Sequence, residues 1–204
     1  MYTIVGLGNP GSEYARTRHN AGRMLVVALA EKNGIEFKEQ KKPALRAGTG
    51  DAFGERVRLV LPDTYMNKSG AAVAKYVKSA AAAKTLIVVH DDIDLPFGKV
   101  RVSVDSSSGG HNGVRSVERA VKTRNFIRIR IGVAKQGKNK GAVVAKKPIT
   151  DDAVVSYLLA KFTSREQKTV IGALKERVFL ALEAILVHRD PVAGMGAVNG
   201  LPAI

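Results

Sequence analysis

Four apolar residues in a row, Leu86-Ile87-Val88-Val89, run straight into His90-Asp91-Asp92. A short run with no polar side offers no face to water, so it predicts a strand covered on both faces. A sheet built around such a strand needs helices above and below it. The rest of the chain supplies them. Strand-like patterns fall at residues 2–7, 57–61, 100–104 and 126–133, and helical spacing falls at 21–33, 68–79, 113–122 and 151–159. In 126–133 isoleucines alternate with Arg128 and Arg130, so one face is apolar and the other presents arginines. A long last helix opens with Thr163-Ser164-Arg165-Glu166, a capping-box pattern, and continues through Val170, Leu174, Val178, Leu182 and Leu186. The expectation is an α/β fold: a single domain with a twisted, mixed, largely parallel β-sheet flanked by helices. A chain of 204 residues suits one such domain, here 1–189. Residues 190–204, rich in Gly, Ala and Pro, read as a flexible tail.

Charge bears on the partner. Lys and Arg number 33 against 18 Asp and Glu, giving +15 and an isoelectric point near 10.2. An excess of that size favours a polyanion such as nucleic acid. Part of it lies in 135–147, where five lysines with Gly137 and Gly141 read as a mobile basic loop with room for a short strand at 142–145. The chain has no cysteine, which excludes disulfides, thiolate metal sites and cysteine nucleophiles. Nothing at the start resembles a signal peptide, and the apolar stretch 179–187 is interrupted by Glu183 and too short to span a bilayer. A cytoplasmic monomer with no membrane partner is the default expectation.

The first loop, Gly6-Leu7-Gly8-Asn9-Pro10-Gly11, fits the spacing of a dinucleotide-binding turn. Pro10, however, removes an N–H from a loop whose use would be to aim N–H groups at a pyrophosphate. No helix follows at once, and Glu31 falls inside a helical pattern. The glycines are read as serving turn geometry, and no cofactor is expected.

Functional groups of α/β sheets collect beyond the carboxyl ends of the strands. Those loops hold Asn9, Tyr14, Arg18, His19 and Asn20 after the first strand, and Tyr65 and Asn67 after the second. They hold Asp91, Asp92 and Asp94 after the buried run, and three serines, two glycines, His111 and Asn112 in a fourth, mobile loop. A neutral imidazole at His19 can take a proton from water, and a carboxylate on its other nitrogen fixes the tautomer. Asp91, at the end of a buried strand, is the candidate carboxylate, whereas His90 reads as packing beside the strand. Asn67 and Asn112 precede helical patterns and suit N-caps, yet an amide also suits holding a carbonyl or orienting a water. The three aspartates admit a Mg²⁺ reading, although neighbouring strand residues face opposite ways.

Taken together, these segments resemble bacterial-type peptidyl-tRNA hydrolases. The resemblance rests on V-G-L-G-N-P-G (5–11), Y-A-R-T-R-H-N-A-G (14–22), Y-M-N-K-S-G (65–70), H-D-D-I-D-L-P-F-G (90–98), G-G-H-N-G (109–113) and F-I-R-I-R-I-G (126–132), in the family's order. It implies metal-independent hydrolysis of the ester joining a peptide to the 3′-terminal ribose of tRNA. It implies His19 as general base, Asp91 as its partner, and Asn9 as the residue separating peptidyl-tRNA from aminoacyl-tRNA. Tyr14, Tyr65, Asn67 and Asn112 would hold the substrate's 3′ end and peptide, with Asn112 also orienting the water. An asparagine carbonyl accepting from the peptide N–H would reject a free ammonium. Arg101, Arg130 and the lysine-rich loop are the candidate phosphate contacts. Two departures touch those contacts: Ser106-Ser107-Ser108 precede Gly109 where the family carries more glycine and a basic residue, and Ser103 stands where a tRNA-contacting lysine is common. The alternatives to this reading are a Mg²⁺-dependent phosphoesterase or nuclease and a non-catalytic RNA-binding module.

Overall fold

The computed structural model describes residues 1–139 and 142–204; Lys140 and Gly141, inside the lysine-rich segment, lie outside the described residues. The strands are β1 (Tyr2–Gly6), β2 (Lys38–Lys41), β3 (Ala44–Ala52), β4 (Glu55–Pro62), β5 (Leu86–Pro96), β6 (Val100–Val104), β7 (Ile127–Asn139) and β8 (Ala142–Lys146). The helices are α1 (Ala21–Lys32), α2 (Ser69–Ala74), α3 (Ala80–Ala83), α4 (Asn112–Val121), α5 (Asp151–Leu159), α6 (Ser164–Thr169), α7 (Lys175–His188) and α8 (Pro191–Val198). The sheet order is β2-β3-β4-β1-β5-β7-β6, with β8 paired to β7. Its centre, β4-β1-β5-β7, is parallel, and the flanking pairs are antiparallel. The mixed sheet expected from the sequence is present.

Its central run behaves as the patterning requires. Ile87 and Val89 join Ile4, Ile129, Leu25 and Leu182 in the core on one face, under α1 and α7. Leu86 and Val88 join Val5, Phe126, Val73 and Val117 on the other, under α2 and α4. The strand does not end at Val89. It carries His90, Asp91 and Asp92 into register with β7 before a shift between Asp92 and Pro96. Asp91 and Asp92 are therefore sheet residues, and their alternation sends them to different partners.

Several expectations are corrected. β2 and β3 escape the period-2 pattern because β3 contains Gly48 and Gly50, and the space their side chains would fill is taken by Ile35: a Cβ on either glycine would come within 2.8 Å of it. The 68–79 helix is shorter, ending at Ala74. The last helix is broken, since Gly172 at φ −101°, ψ −107° interrupts it between α6 and α7, although the capping box at Thr163 and Glu166 forms as read. The basic segment contributes two paired strands, with Lys135 opposite Lys146 and Lys138 opposite Val143, and the short strand expected at 142–145 is present as β8. The segment expected to be a flexible tail forms α8. Asp190 caps α8 through the Val192 N–H at 2.9 Å, and Val198 is buried. Gly194 lies so close to α7 that a Cβ would come within 2.5 Å of Ile185. Asn199 then bonds both the N–H and the carbonyl of Val102 on β6. Small residues here serve close helix packing, which composition alone reads as disorder.

Close approach also fixes where α1 begins. A Cβ on Gly22 would stand 2.1 Å from the Val89 carbonyl oxygen, so only glycine lets the helix start against the end of β5. Gly22→Ala is expected to destabilise the protein by about 1–3 kcal/mol through overpacking. Gly196→Ala in α8, whose Cβ meets nothing within 4 Å, should leave the thermal midpoint unchanged or raise it. Equal melting curves for Gly22→Ala and wild type would refute the close-packing assignment.

Candidate active site

His19 occupies a 3-10 turn, Arg18–Asn20, immediately before α1. Its two neighbours hold it. On one side Arg18 binds both Glu166 carboxylate oxygens, at 3.1 and 2.9 Å, and the Lys161 carbonyl at 3.2 Å, with its guanidinium over the Tyr157 ring. On the other side Asn20 exchanges two bonds with the first loop: its Oδ1 accepts from the Asn9 N–H and its Nδ2 donates to the Asn9 carbonyl, both at 2.9 Å. The imidazole between them has little freedom.

That imidazole meets Asp91. Nδ1 of His19 lies 3.1 and 3.0 Å from the two carboxylate oxygens, and Asp91 is 1% exposed. A second imidazole, to which the sequence pattern assigns no role, reaches the same carboxylate: His111 Nε2 lies 3.0 Å from Asp91 Oδ1. The tautomers follow from the partners. His111 Nδ1 accepts from the Gly113 and Val114 N–H groups, at 3.1 and 3.3 Å, so the proton sits on Nε2 and points at Asp91. A carboxylate only accepts, so His19 donates its Nδ1 proton, and in the neutral ring the lone pair is on Nε2. His90 packs beside the strand as expected, donating from Nδ1 to the Asp91 carbonyl at 2.7 Å with its ring against that of His111.

Electrostatics agree. Burial alone would raise the Asp91 pKa, but the two imidazoles outweigh it and hold the carboxyl well below the ordinary range. Burial would lower the pKa of His19, and the charge and hydrogen bond of Asp91 reverse that to a net rise. Burial and His111 push His90 well down, so it stays neutral.

Asp91, His19, Asn9, Met66 and Asn112 line one cleft of about 660 Å³, whose far wall is the apolar side of α5, with Val154, Val155 and Leu158. The Oδ1 of Asn9 accepts from the Met66 N–H at 2.9 Å, leaving its amide donors to the cleft. Neither Asn67 nor Asn112 caps a helix: His111 caps α4, and no side chain caps α2. Asn67, Tyr14 and Tyr65 are not among the residues lining the cleft, and Tyr65 stands 63% exposed. Arg101 and Arg130 face each other across β6 and β7, with Arg130 bonded to Asp92 at 2.6 Å.

The aspartates are each matched by a cation or an imidazole of the protein: Asp92 by Arg130, Asp94 by Lys147, and Asp91 by the two histidines. His19, Asp91 and His111 place three ligating atoms within 4.8 Å of one another. Yet coordination through His111 Nε2 would need its proton moved to Nδ1, against the two backbone N–H groups that point there. The cluster is suited to sharing protons.

A family model described as peptidyl-tRNA hydrolase matches residues 3–202 of this chain. The chain is 41% identical over 187 residues to the peptidyl-tRNA hydrolase of Syntrophotalea carbinolica, covering 91% of each. It is 40% identical to that of Chloroflexus aggregans, covering 98% of this chain and 100% of the relative. The crystal structure of peptidyl-tRNA hydrolase from Acinetobacter baumannii superposes with a TM-score of 0.84 at 35% identity, covering 99% of this chain and 96% of that one.

Asp91→Asn removes the charge that lifts His19 and leaves the burial that depresses it. The His19 pKa is expected to fall below its ordinary value of about 6.5, as read by NMR titration of the imidazole. An unmoved or higher pKa would show that Asp91 does not govern this ring.

Proposed function

The chain belongs to the peptidyl-tRNA hydrolase family, and we propose that the His19–Asp91 pair is the base with which its cleft hydrolyses the ester between a peptide and the 3′-terminal ribose of tRNA. The observation that carries the assignment is the contact of His19 Nδ1 with a buried carboxylate, which in the neutral ring places the proton on Nδ1 and the lone pair on Nε2. A water beside Nε2 gives up a proton as its oxygen attacks the ester carbonyl. The ring's positive charge is stabilised by Asp91, and the same proton then passes to the ribose oxygen as the C–O bond breaks. The ester is already an activated carbonyl, so a positioned water, a base and amide donors near the oxyanion suffice, without cofactor or metal. Asn112, exposed and lining the cleft next to His111 in sequence, suits orienting that water.

Asn9 reads the substrate differently from the sequence expectation. Its carbonyl already accepts from the Met66 N–H, which orients the amide so that its N–H donors suit a peptide carbonyl. An aminoacyl ester with a free ammonium lacks that acyl carbonyl, which gives the site a basis for rejecting it. The apolar wall of α5 suits peptide side chains of varied sequence. Tyr14, together with the exposed Tyr65 and Asn67 on either side of the cleft-lining Met66 in sequence, would contact the terminal nucleotides. Arg101, Arg130 and the lysines of the β7–β8 hairpin suit phosphates, contacts without sequence information that fit an enzyme serving many tRNAs. A cytoplasmic monomer suits this role in translation, and no described helix is long and apolar enough to cross a membrane.

His19→Ala is expected to lower hydrolysis of a peptidyl-tRNA by at least about a hundredfold while leaving tRNA affinity in place, and EDTA is expected to leave wild-type turnover intact. Near-wild-type turnover of the variant would overturn the assignment of the base. Loss of activity in EDTA, restored by Mg²⁺, would favour the aspartates as metal ligands instead.

A further inference from the structure

Arg128 is a buried charge that the reaction described above does not use. It is 2% exposed on β7, on the face where its neighbour Phe126 is apolar, and burial and the adjacent Arg130 both disfavour its charged form. A core that needed only volume there would take an apolar side chain. Among the described residues its hydrogen bonds go to one place, the loop between β6 and α4. One guanidinium nitrogen donates to the Ser107 carbonyl at 2.8 Å and the other to Ser106 Oγ. Ser106 in turn donates to Ser103 Oγ at 3.2 Å, and Ser103 stands directly opposite Arg128 in the β6–β7 register. Arg128, Ser103 and Ser106 thus join two strands to the loop through the two terminal guanidinium nitrogens, while the buried Arg128 Nε has no partner among the described residues.

The loop leads to the active site within a few residues. Asp105 opens it in the left-handed region at φ +47°, Gly109 and Gly110 continue there at +57° and +82°, and the Ser108 carbonyl accepts from the His111 N–H at 3.0 Å. Only three residues separate the anchored Ser107 carbonyl from His111, whose ring reaches Asp91. The guanidinium sits on an interior strand, so in this pair the loop is the element with freedom to move.

We propose that Arg128 is a positioning residue: through Ser106 and Ser107 it holds the 105–111 loop on the course that sets His111 against Asp91. The serines that depart from the family pattern then have a use, since a glycine at 106 has no hydroxyl for the guanidinium. Only the kinetic consequence rests on the reading of His19 as general base; the positioning itself is visible at His111.

Ser106→Ala and Arg128→Lys test it, the first changing one hydroxyl on a loop. In Ser106→Ala the NMR resonance of the His111 Nε2 proton should weaken and exchange faster with solvent, at an unchanged thermal midpoint. Turnover of peptidyl-tRNA should drop about tenfold with KM held within about twofold. The acidic limb of the pH–rate profile should move to higher pH, because an Asp91 freed of His111 stabilises the His19 imidazolium more strongly. Arg128→Lys, which keeps the charge and loses the fork, should move the resonance and the limb the same way. A wild-type His111 resonance and an unmoved limb in both variants would overturn the proposal, even if turnover fell with stability. Should the wild type fail to cleave peptidyl-tRNA, the functional reading would fall, and the His111 resonance would still decide the positioning.

Discussion

A carboxylate with almost no exposure to water, Asp91, is the constraint on which the rest of the site depends. A lone buried charge is costly, and two imidazole N–H groups meet this one. Satisfying Asp91 dictates the tautomer of His19, and that tautomer leaves the nitrogen facing the cleft basic. The same demand ties three separate parts of the chain together: the turn before α1, the end of β5 and the N-terminus of α4. His111 serves two partners at once, giving its proton to Asp91 and its lone pair to the first N–H groups of α4. The helix start and the chemical centre are therefore one structural unit.

The fold delivers these parts with few moving pieces. β5 is a buried central strand, so Asp91 inherits the rigidity of the sheet. α1 begins against β5 because Gly22 permits it. His19 is clamped by the docking of Arg18 to Glu166 and of Asn20 to Asn9. Asn9 is oriented by a backbone N–H of Met66, 57 residues further along the chain. Two of the side chains that do this positioning, Arg18 and Asn20, lie beside His19 in sequence.

What was legible in the sequence had a local physical cause. The apolar run at 86–89 announced a strand covered on both faces, and a carboxylate at its end was a natural partner for a histidine opening a helix. The loops of Asn9 and Asn67 could be grouped because they follow parallel strands, whereas the loop of Asn112 follows β6, which runs antiparallel to β7. Other features depend on contacts that no local pattern carries. His111 meets Asp91 from a loop in which Gly109 and Gly110 adopt left-handed conformations. From the sequence the Asn9 carbonyl is expected to accept from the substrate, and its existing bond from the distant Met66 N–H is what favours the proposed donor role instead. The Gly- and Ala-rich segment after Asp190 looks disordered by composition and is ordered by close packing on α7 and by Asn199 on the edge strand. Asn67 belongs to the motif but lies outside the lining of the cleft, and Arg128 alternates as part of a polar arginine face although it is buried.

The claim at the centre is that the free Nε2 of His19, held by Asp91, is the base in ester hydrolysis. It is tested most directly by measuring two quantities on the same wild-type protein: the pKa of His19 by NMR, and the acidic limb of kcat/KM for peptidyl-tRNA hydrolysis. The account expects the two to coincide, both above the ordinary histidine value of about 6.5, because activity requires the unprotonated ring and Asp91 raises its pKa. A limb that falls clearly apart from the titration of His19 would contradict it.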